Sequence, residues 1–256
     1  MSMNLQLPEN VKRLAPGEKF SFSCHPGVEC FTNCCHDLEL SLTPYDVLRL
    51  KDELKLSSTH FLDQYVLVEK EENEVFPRCY LTMVDDGMAS CPFVTDSGCK
   101  VYDSRPGACR VYPLGRAVSQ ACGGRKFEFH VLLTEPHCLG FNRSRSFTAE
   151  EWTHHQGLTP YNELNDEVMT LLQHKKVKQG IKLTKEQTDM FVLALYNLDE
   201  FRNLVLDPGF LPRAALSPDN RPTFAADDTS LLRFGIRWLK NELFGEANET
   251  CPNKCP

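Results

Sequence analysis

The sequence predicts an α-rich fold with short irregular β elements, in which cysteine-rich metal-binding loops pack on a helical C-terminal half. Three observations predict it. A chain of 256 residues that is 41% hydrophobic and 25% charged has the composition of an ordinary globular protein with its own apolar core. Up to Gly140 the cysteines recur among turn residues. From Thr148 onward the cysteines stop until the tail, and apolar residues recur at helical spacing behind capping signals. The domain organisation that follows is a lead-in over 1–19, a cysteine-cluster metal-binding region over 20–145, a helical region packed on it over 146–246, and a Cys-containing tail over 247–256.

Residues 1–19 read as irregular, because Pro8, Pro16 and Gly17 break any periodicity. Phe20 and Phe22 alternate with serines and lead in extended form to Cys24, which is followed by Cys30, Cys34 and Cys35. The adjacent pair is informative, since consecutive side chains of extended backbone point to opposite sides. Both thiols ligate only by reaching different metal atoms or around a sharp turn, which leaves open two neighbouring sites or a polynuclear centre. Asp37 stands where a C-x3-C-x2-C motif would need its third cysteine after Cys30 and Cys34, so the spacing argues against radical S-adenosylmethionine chemistry. His25, His36 and His137 each adjoin a cysteine and suit hydrogen bonding to sulfur better than sharing its metal.

Thr43-Pro44-Tyr45-Asp46 is a helix start, with a Thr cap, Pro at the first helical position and an acid three residues after the cap. A second helix begins at Ser57 or Ser58 and buries Phe61, Leu62, Tyr65 and Val66; the charged run Glu69–Glu74 then reads as a solvated turn. Val75–Val84 is β-prone and holds Cys79, which has no close cysteine neighbour. Lys126–Leu133 is a further strand candidate, and Cys122 stands before the turn pair Gly123-Gly124.

The densest chemistry lies in CPFVTDSGCKVYDSRPGACRVYP, Cys91 to Pro113. Cys91 precedes Pro92, Cys99 follows Gly98, and Cys109 lies shortly after Pro106, so each thiol is aimed by a chain reversal. Thiolates converging from short segments are what a soft metal or an iron–sulfur cluster requires, and Cys138 offers a further sulfur from downstream. Ser104-Arg105-Pro106 reads as a helix start that places Cys109 in the first turn, where amides and the helix dipole favour a thiolate. Arg105 and Arg110 flank Cys109, and their guanidinium groups would support the anionic centre by lowering thiol pKa values. The alternative for both is surface pairing with acids such as Asp103.

The remainder is helical. Thr148 and Glu151 form a capping box, Thr159-Pro160 starts another helix, and Thr184 with Gln187 opens a longer one carrying Phe191, Leu195, Leu198 and Phe201 up to Asp207-Pro208. A proline-containing strap over 207–224 leads to a last helix, about Asp228 to Phe244, stopped by Gly245. Cys251 and Cys255 in the tail either fold back as ligands or bind metal adventitiously.

The run from Phe20 to Cys35, LTPYDVLRL after it, and the later CPF, GC, VY, RP, CR and YP elements occur together in an order that resembles the YkgJ-type cysteine-cluster family. These are zinc- or iron-chelating domains that include the flagellin lysine N-methylases. The resemblance covers roughly Phe20 to Gly140. The first cysteines are more widely spaced here than the compact C-x2-C-x2-CC of many members. The resemblance implies metal ligation by Cys24, Cys30, Cys34, Cys35, Cys91, Cys99, Cys109 and Cys138, and its methylase branch implies an iron–sulfur cluster of the 4Fe–4S type, with zinc as the alternative. It also implies protein lysine N-methylation and hence a protein substrate; the other reading is a non-catalytic module for metal handling, redox sensing or partner binding. No catalytic residue and no GxGxxG or P-loop is found.

A net charge of −7 argues against a nucleic-acid partner. The opening MSMNLQLPENVKRLAPG has no apolar h-region and no segment has the length of a membrane span, so the expected location is cytoplasmic, without membrane association. There, the 12 cysteines are expected as thiols or metal ligands instead of disulfides.

Overall fold

The computed structural model of the protein describes residues 7–120, 126–210 and 221–245. Cys122 with its two glycines, Cys251, Cys255 and the centre of the strap at 211–220 lie outside the described residues. The architecture combines helices with several short antiparallel sheets, so the expected α-rich class becomes a mixed one. The chain forms two compact units, one of Met1–Leu40 with Thr82–Asn162 and one of Ser41–Leu81 with Glu163–Pro256.

The first unit contains every described cysteine except Cys79. Its main sheet places Lys126–Leu133 between Val11–Arg13 and Leu114–Gln120, all antiparallel. Val11 lies opposite Leu133, which corrects the irregular lead-in: a three-residue strand of sequence VKR has no pattern of its own and is recruited by its partner. Leu114–Gln120, LGRAVSQ, also lacks a clear alternation, and Gly115 in it lets Val131 approach, since a Cβ there would lie 2.8 Å from Val131 Cγ2.

Phe20–Phe22 pairs with Phe141–Phe147. Phe20, Phe22, Phe147 and Trp152 bury one another with Leu14 and Leu114. Trp152 meets Phe20, Phe22 and Phe147 edge-on, at centroid distances of 5.8, 5.7 and 5.0 Å, the arrangement that ring quadrupoles favour. Its Nε1–H donates to Val111 O at 3.0 Å, fixing the end of the short helix Gly107–Val111 to this core. Trp152 itself is carried by Ala149–His155, whose start is the expected capping box of Thr148 and Glu151.

In the second unit, Arg78–Leu81 lies between Ser41–Leu42 and Val66–Glu69. Val66 therefore opens a strand and does not close the preceding helix, Ser58–Tyr65. The helix Pro44–Leu54 starts with Thr43 and Asp46 capping each other, as the sequence indicates. The long helix expected after Thr184 is two, Lys185–Leu195 and Leu198–Leu206. The break falls at Asn197, whose side-chain oxygen accepts from the hydroxyls of Ser58 and Thr59 at 2.8 and 3.1 Å. Asp199 in turn accepts from Ser58 N–H at 2.7 Å, while Ser58 Oγ accepts from Asp199 N–H at 2.9 Å. The continuous apolar spacing across Asn197 is overridden by these long-range bonds. Asp228–Phe244 ends at the left-handed Gly245. No helix among the described residues is long and apolar enough to cross a membrane.

Candidate metal centre

The loop from Cys24 to Cys35 is a chain of tight turns. Val28 N–H donates to His25 O, Phe31 to Val28, Asn33 to Cys30 and Cys35 to Thr32, at 2.8–3.0 Å. It ends in the 3₁₀ turn Asn33–Cys35, preceded by Thr32 in the left-handed region at φ 69°. This winding packs four cysteines into a short path. At its start Ser23 N–H donates to Gly140 O at 2.9 Å, and Gly140 has no room for a Cβ, which would lie 2.6 Å from Phe22 Cε2. Within it, Cys30 Sγ accepts from Leu139 N–H at 3.1 Å. These two bonds bring the Cys24–Cys30 end beside Cys138.

The other end of the loop is tied to a different segment. Cys91 N–H donates to Cys35 O at 2.8 Å, Asp37 N–H to Ala89 O at 3.0 Å, and His36 Nδ1 hydrogen-bonds Ser90 Oγ at 2.9 Å. His36 thus acts as a clasp between two loops. From Cys91 the chain turns back through a two-stranded ribbon, Val94–Thr95 with Gly98–Cys99, in which Val94 lies opposite Cys99. A 3₁₀ turn, Tyr102–Ser104, follows, and then the helix Gly107–Val111. Cys109 lies in the first turn of that helix, but Pro106 holds the cap position and Ser104 belongs to the turn before it.

Arg105 and Arg110 are placed differently from each other. Arg105 stacks on the Tyr102 ring at 3.8 Å and donates to Tyr102 O and Gln156 Oε1 at 2.7 and 2.5 Å. Burial pulls its guanidinium down from its ordinary value, while Tyr102, Cys109 and Cys99 act in the opposite direction. Its charge also acts on Cys24 and Cys99, opposing the rise that burial gives both. Arg110 donates to three carbonyls: Arg105 O at 3.1 Å, Gln156 O at 2.8 Å, and Asp103 O. It holds the backbone around Cys109 and is a positioning residue for the loop.

No described cysteine is disulfide-bonded. Cys24, Cys34 and Cys109 are exposed, Cys30, Cys35, Cys91, Cys99 and Cys138 half-buried, and Cys79 is buried in the second unit. The thiols act on one another. Burial pushes Cys24 up to about 11, with Cys34, Cys30 and Cys138 adding to the shift. A hydrogen bond from Cys35 pulls Cys34 down to about 7, and the same bond, with burial and the charges of Cys34, Cys91 and Cys109, drives Cys35 far up. Burial raises Cys91 and Cys99. Backbone N–H groups oppose it, those of Phe93 and Val94 at Cys91 and that of Val101 at Cys99. Burial alone raises Cys79 to about 12, and no other cysteine acts on it.

The donor set suits a thiophilic metal. Eight thiols share one unit, amide N–H groups face Cys30, Cys91 and Cys99, and a guanidinium faces Cys24, Cys99 and Cys109. Burial raises the phenol of Tyr112, and its hydrogen bonds to Cys138 and Glu135 add to the shift. Among the described residues no three His, Cys, Asp or Glu side chains stand around a common point as a metal would hold them.

Sequence reasoning did not find Tyr112 or the His36–Ser90 clasp. Tyr112 adjoins Pro113 at the end of the cysteine-rich stretch, but its burial near Cys138 depends on the fold.

Residues 23–135 match the model of a family, CxxCxxCC, described as a "putative zinc- or iron-chelating domain". No curated protein and no solved structure matches the chain.

Proposed function

From the match of residues 23–135 to the CxxCxxCC model, we propose that the chain belongs to this family and is an iron–sulfur protein. Its cluster, of the 4Fe–4S type, is held by thiolates drawn from Cys24, Cys30, Cys34, Cys35, Cys91, Cys99, Cys109 and Cys138. The observation that carries this reading is the vicinal pair. Cys34 and Cys35 share a hydrogen bond, Cys34 acts on Cys24, and Cys91 and Cys109 act on Cys35. A lone zinc site, like a single 4Fe–4S cluster, closes on four ligands and uses half of these thiols.

When bound, such a cluster supplies one-electron redox chemistry or an electron-poor iron to which a substrate can bind. The chain's own residues have simpler tasks. The amides at Cys30, Cys91 and Cys99 stabilise sulfur as the anion, and Arg105 offsets the accumulated negative charge. Arg110 keeps the loop around Cys109 in place through its three carbonyls. Protein lysine N-methylation, the reaction implied by the family resemblance, is proposed as the activity of the loaded protein on a protein substrate, with no residue assigned to the transfer step.

The test is purification without oxygen, followed by metal and sulfide analysis and a visible spectrum. Iron and sulfide in equal amounts with broad brown absorbance are expected; stoichiometric zinc without colour overturns the iron–sulfur reading. Labelled S-adenosylmethionine and a lysine-bearing protein acceptor test the reaction. Absence of transfer by the fully loaded chain leaves the non-catalytic module.

A further inference from the structure

We propose that the strand Val66–Glu69 is a docking edge for a protein partner, which adds a basic segment in extended form as one more strand of the sheet. The edge belongs to the second unit and is independent of the metal reading above. Arg78–Leu81 has a neighbouring strand on each side, whereas among the described residues Val66–Glu69 has one. Alternate residues of such an edge direct N–H and C=O away from the strand they pair with, and these groups are a template for another chain. Edges are commonly blunted by a proline, a bulge or a charge in mid-strand. Here all four residues of VLVE stay in register with Arg78–Leu81, and the one charge stands at the end.

The side chains say that the occupant is a strand. Val66 lies opposite Leu81 and Val68 opposite Cys79, so all four share one face of the sheet. Cys79 is 0% and Leu81 3% exposed, yet Val68 is 44% exposed, so the cover over that face stops short of the edge. Leu67 lies opposite Tyr80 on the other face and is 50% exposed. A ligand lying against one face would reach only one of these two side chains. A strand added at the usual spacing of about 4.8 Å sets a side chain beside each, and so takes both from water.

The charges flanking the edge select the sign of the partner. Asp63, Glu69, Glu71 and Glu72 are exposed, and Lys70 is the one basic residue among them. Glu74 is engaged by Arg78, an ion pair that ties the two ends of the connection between the strands. The acids therefore suit an extended segment whose apolar side chains are flanked by Lys or Arg. A second copy of this chain would bring the same acids to the edge, and like-charge repulsion opposes that pairing.

The experiment uses the full-length protein and a fluorescein-labelled peptide of alternating Val and Thr with a Lys-Arg pair at each end, followed by fluorescence anisotropy. One comparison peptide carries Glu in place of Lys and Arg, and another is N-methylated at every amide of the Val-Thr run. The basic peptide is expected to bind and to slow amide hydrogen exchange at Val66–Glu69, and both comparison peptides to bind about tenfold more weakly or worse. Val68→Lys, which sets a like charge beside the basic strand, should weaken binding about tenfold. Glu71→Gln with Glu72→Gln, in the exposed connection, should weaken it several-fold at low salt and flatten its salt dependence. Should Val68→Lys lose the wild-type circular dichroism, the double Gln variant and the exchange pattern decide. Failure of the basic peptide to bind, equal binding of the acidic or N-methylated peptide, or slowed exchange only outside Val66–Glu69 overturns the proposal. A dimer in sedimentation that Val68→Lys abolishes puts a second copy on the edge and overturns it as well.

Discussion

Cys34 and Cys35 show what a shared proton does to two neighbouring thiols. The hydrogen bond that Cys35 gives stabilises the Cys34 thiolate, so Cys34 falls to about 7 while Cys35 is driven upward. In the metal-free chain Cys34 is therefore protonated and unreactive below about 7 and thiolate above it, and Cys24, at about 11, remains a thiol throughout that range. Alkylation by iodoacetamide, followed residue by residue by mass spectrometry, should give Cys34 a half-maximal rate near pH 7, with Cys24 and Cys79 scarcely labelled there. Replacing Cys35 with Ala should move the Cys34 midpoint upward, because the donor is gone. A Cys34 profile unaffected by that replacement would show that the pair does not share a proton. The sequence reveals which thiols to consider, since Pro92, Gly98 and Pro106 mark the reversals beside Cys91, Cys99 and Cys109. It does not reveal how they group, because the grouping is made by bonds such as Cys91 N–H to Cys35 O that link distant stretches. Nor does it distinguish Arg105, whose charge reaches the thiols, from Arg110, whose donors are taken up by carbonyls.

Helix boundaries were legible wherever a capping residue and its reciprocal partner lie three apart, as at Thr43 and Asp46, Thr148 and Glu151, and Thr184 and Gln187. The strands Val11–Arg13 and Leu114–Gln120 were not, because each takes its conformation from Lys126–Leu133. The break at Asn197 was hidden for the same reason, its partners Ser58 and Thr59 being remote in sequence. Crossing of the helices Lys185–Leu195 and Asp228–Phe244 is equally a matter of tertiary contact. Gly235 meets the backbone of Ala194 there, and a Cβ would lie 2.5 Å from Ala194 O. Gly235→Ala gains helix propensity of about 1 kcal/mol but must push two helices apart. Since the obstacle is backbone and cannot rotate away, the expected balance is a net destabilisation of about 1–2 kcal/mol. Denaturant unfolding measures it; an unchanged or raised midpoint would mean that the helices separate without cost.

At the scale of the whole molecule, each unit contains one of the two tryptophans, Trp152 in the first and Trp238 in the second. The first unit's cysteine loops are held by turns and backbone bonds around a few buried apolar side chains, Val28, Phe93 and Val101, and ligand binding should add to their stability. Single-tryptophan chains made by Trp238→Phe and Trp152→Phe follow the units separately. Removal of metal by a chelator should lower the thermal midpoint reported by Trp152 by several degrees and leave that of Trp238 nearly unchanged. Equal shifts would mean that the two units unfold as one. The order of the chain adds a constraint on assembly. His36 and Ser90 must meet although 54 positions separate them, and the residues between are mostly those of the second unit's first segment, Ser41–Leu81. That segment is closed at its neck, where Ser41 pairs with Tyr80 and Leu42 with Cys79. A flexible loop of this length would cost about 3–4 kcal/mol to close, whereas a segment already zipped at Ser41 and Tyr80 delivers Leu40 and Thr82 side by side. The neck needs no metal, so the polymer entropy of joining the two cysteine loops is spent before any ion arrives, and a chain cut or loosened at this neck would bind its metal more weakly although every thiol was intact.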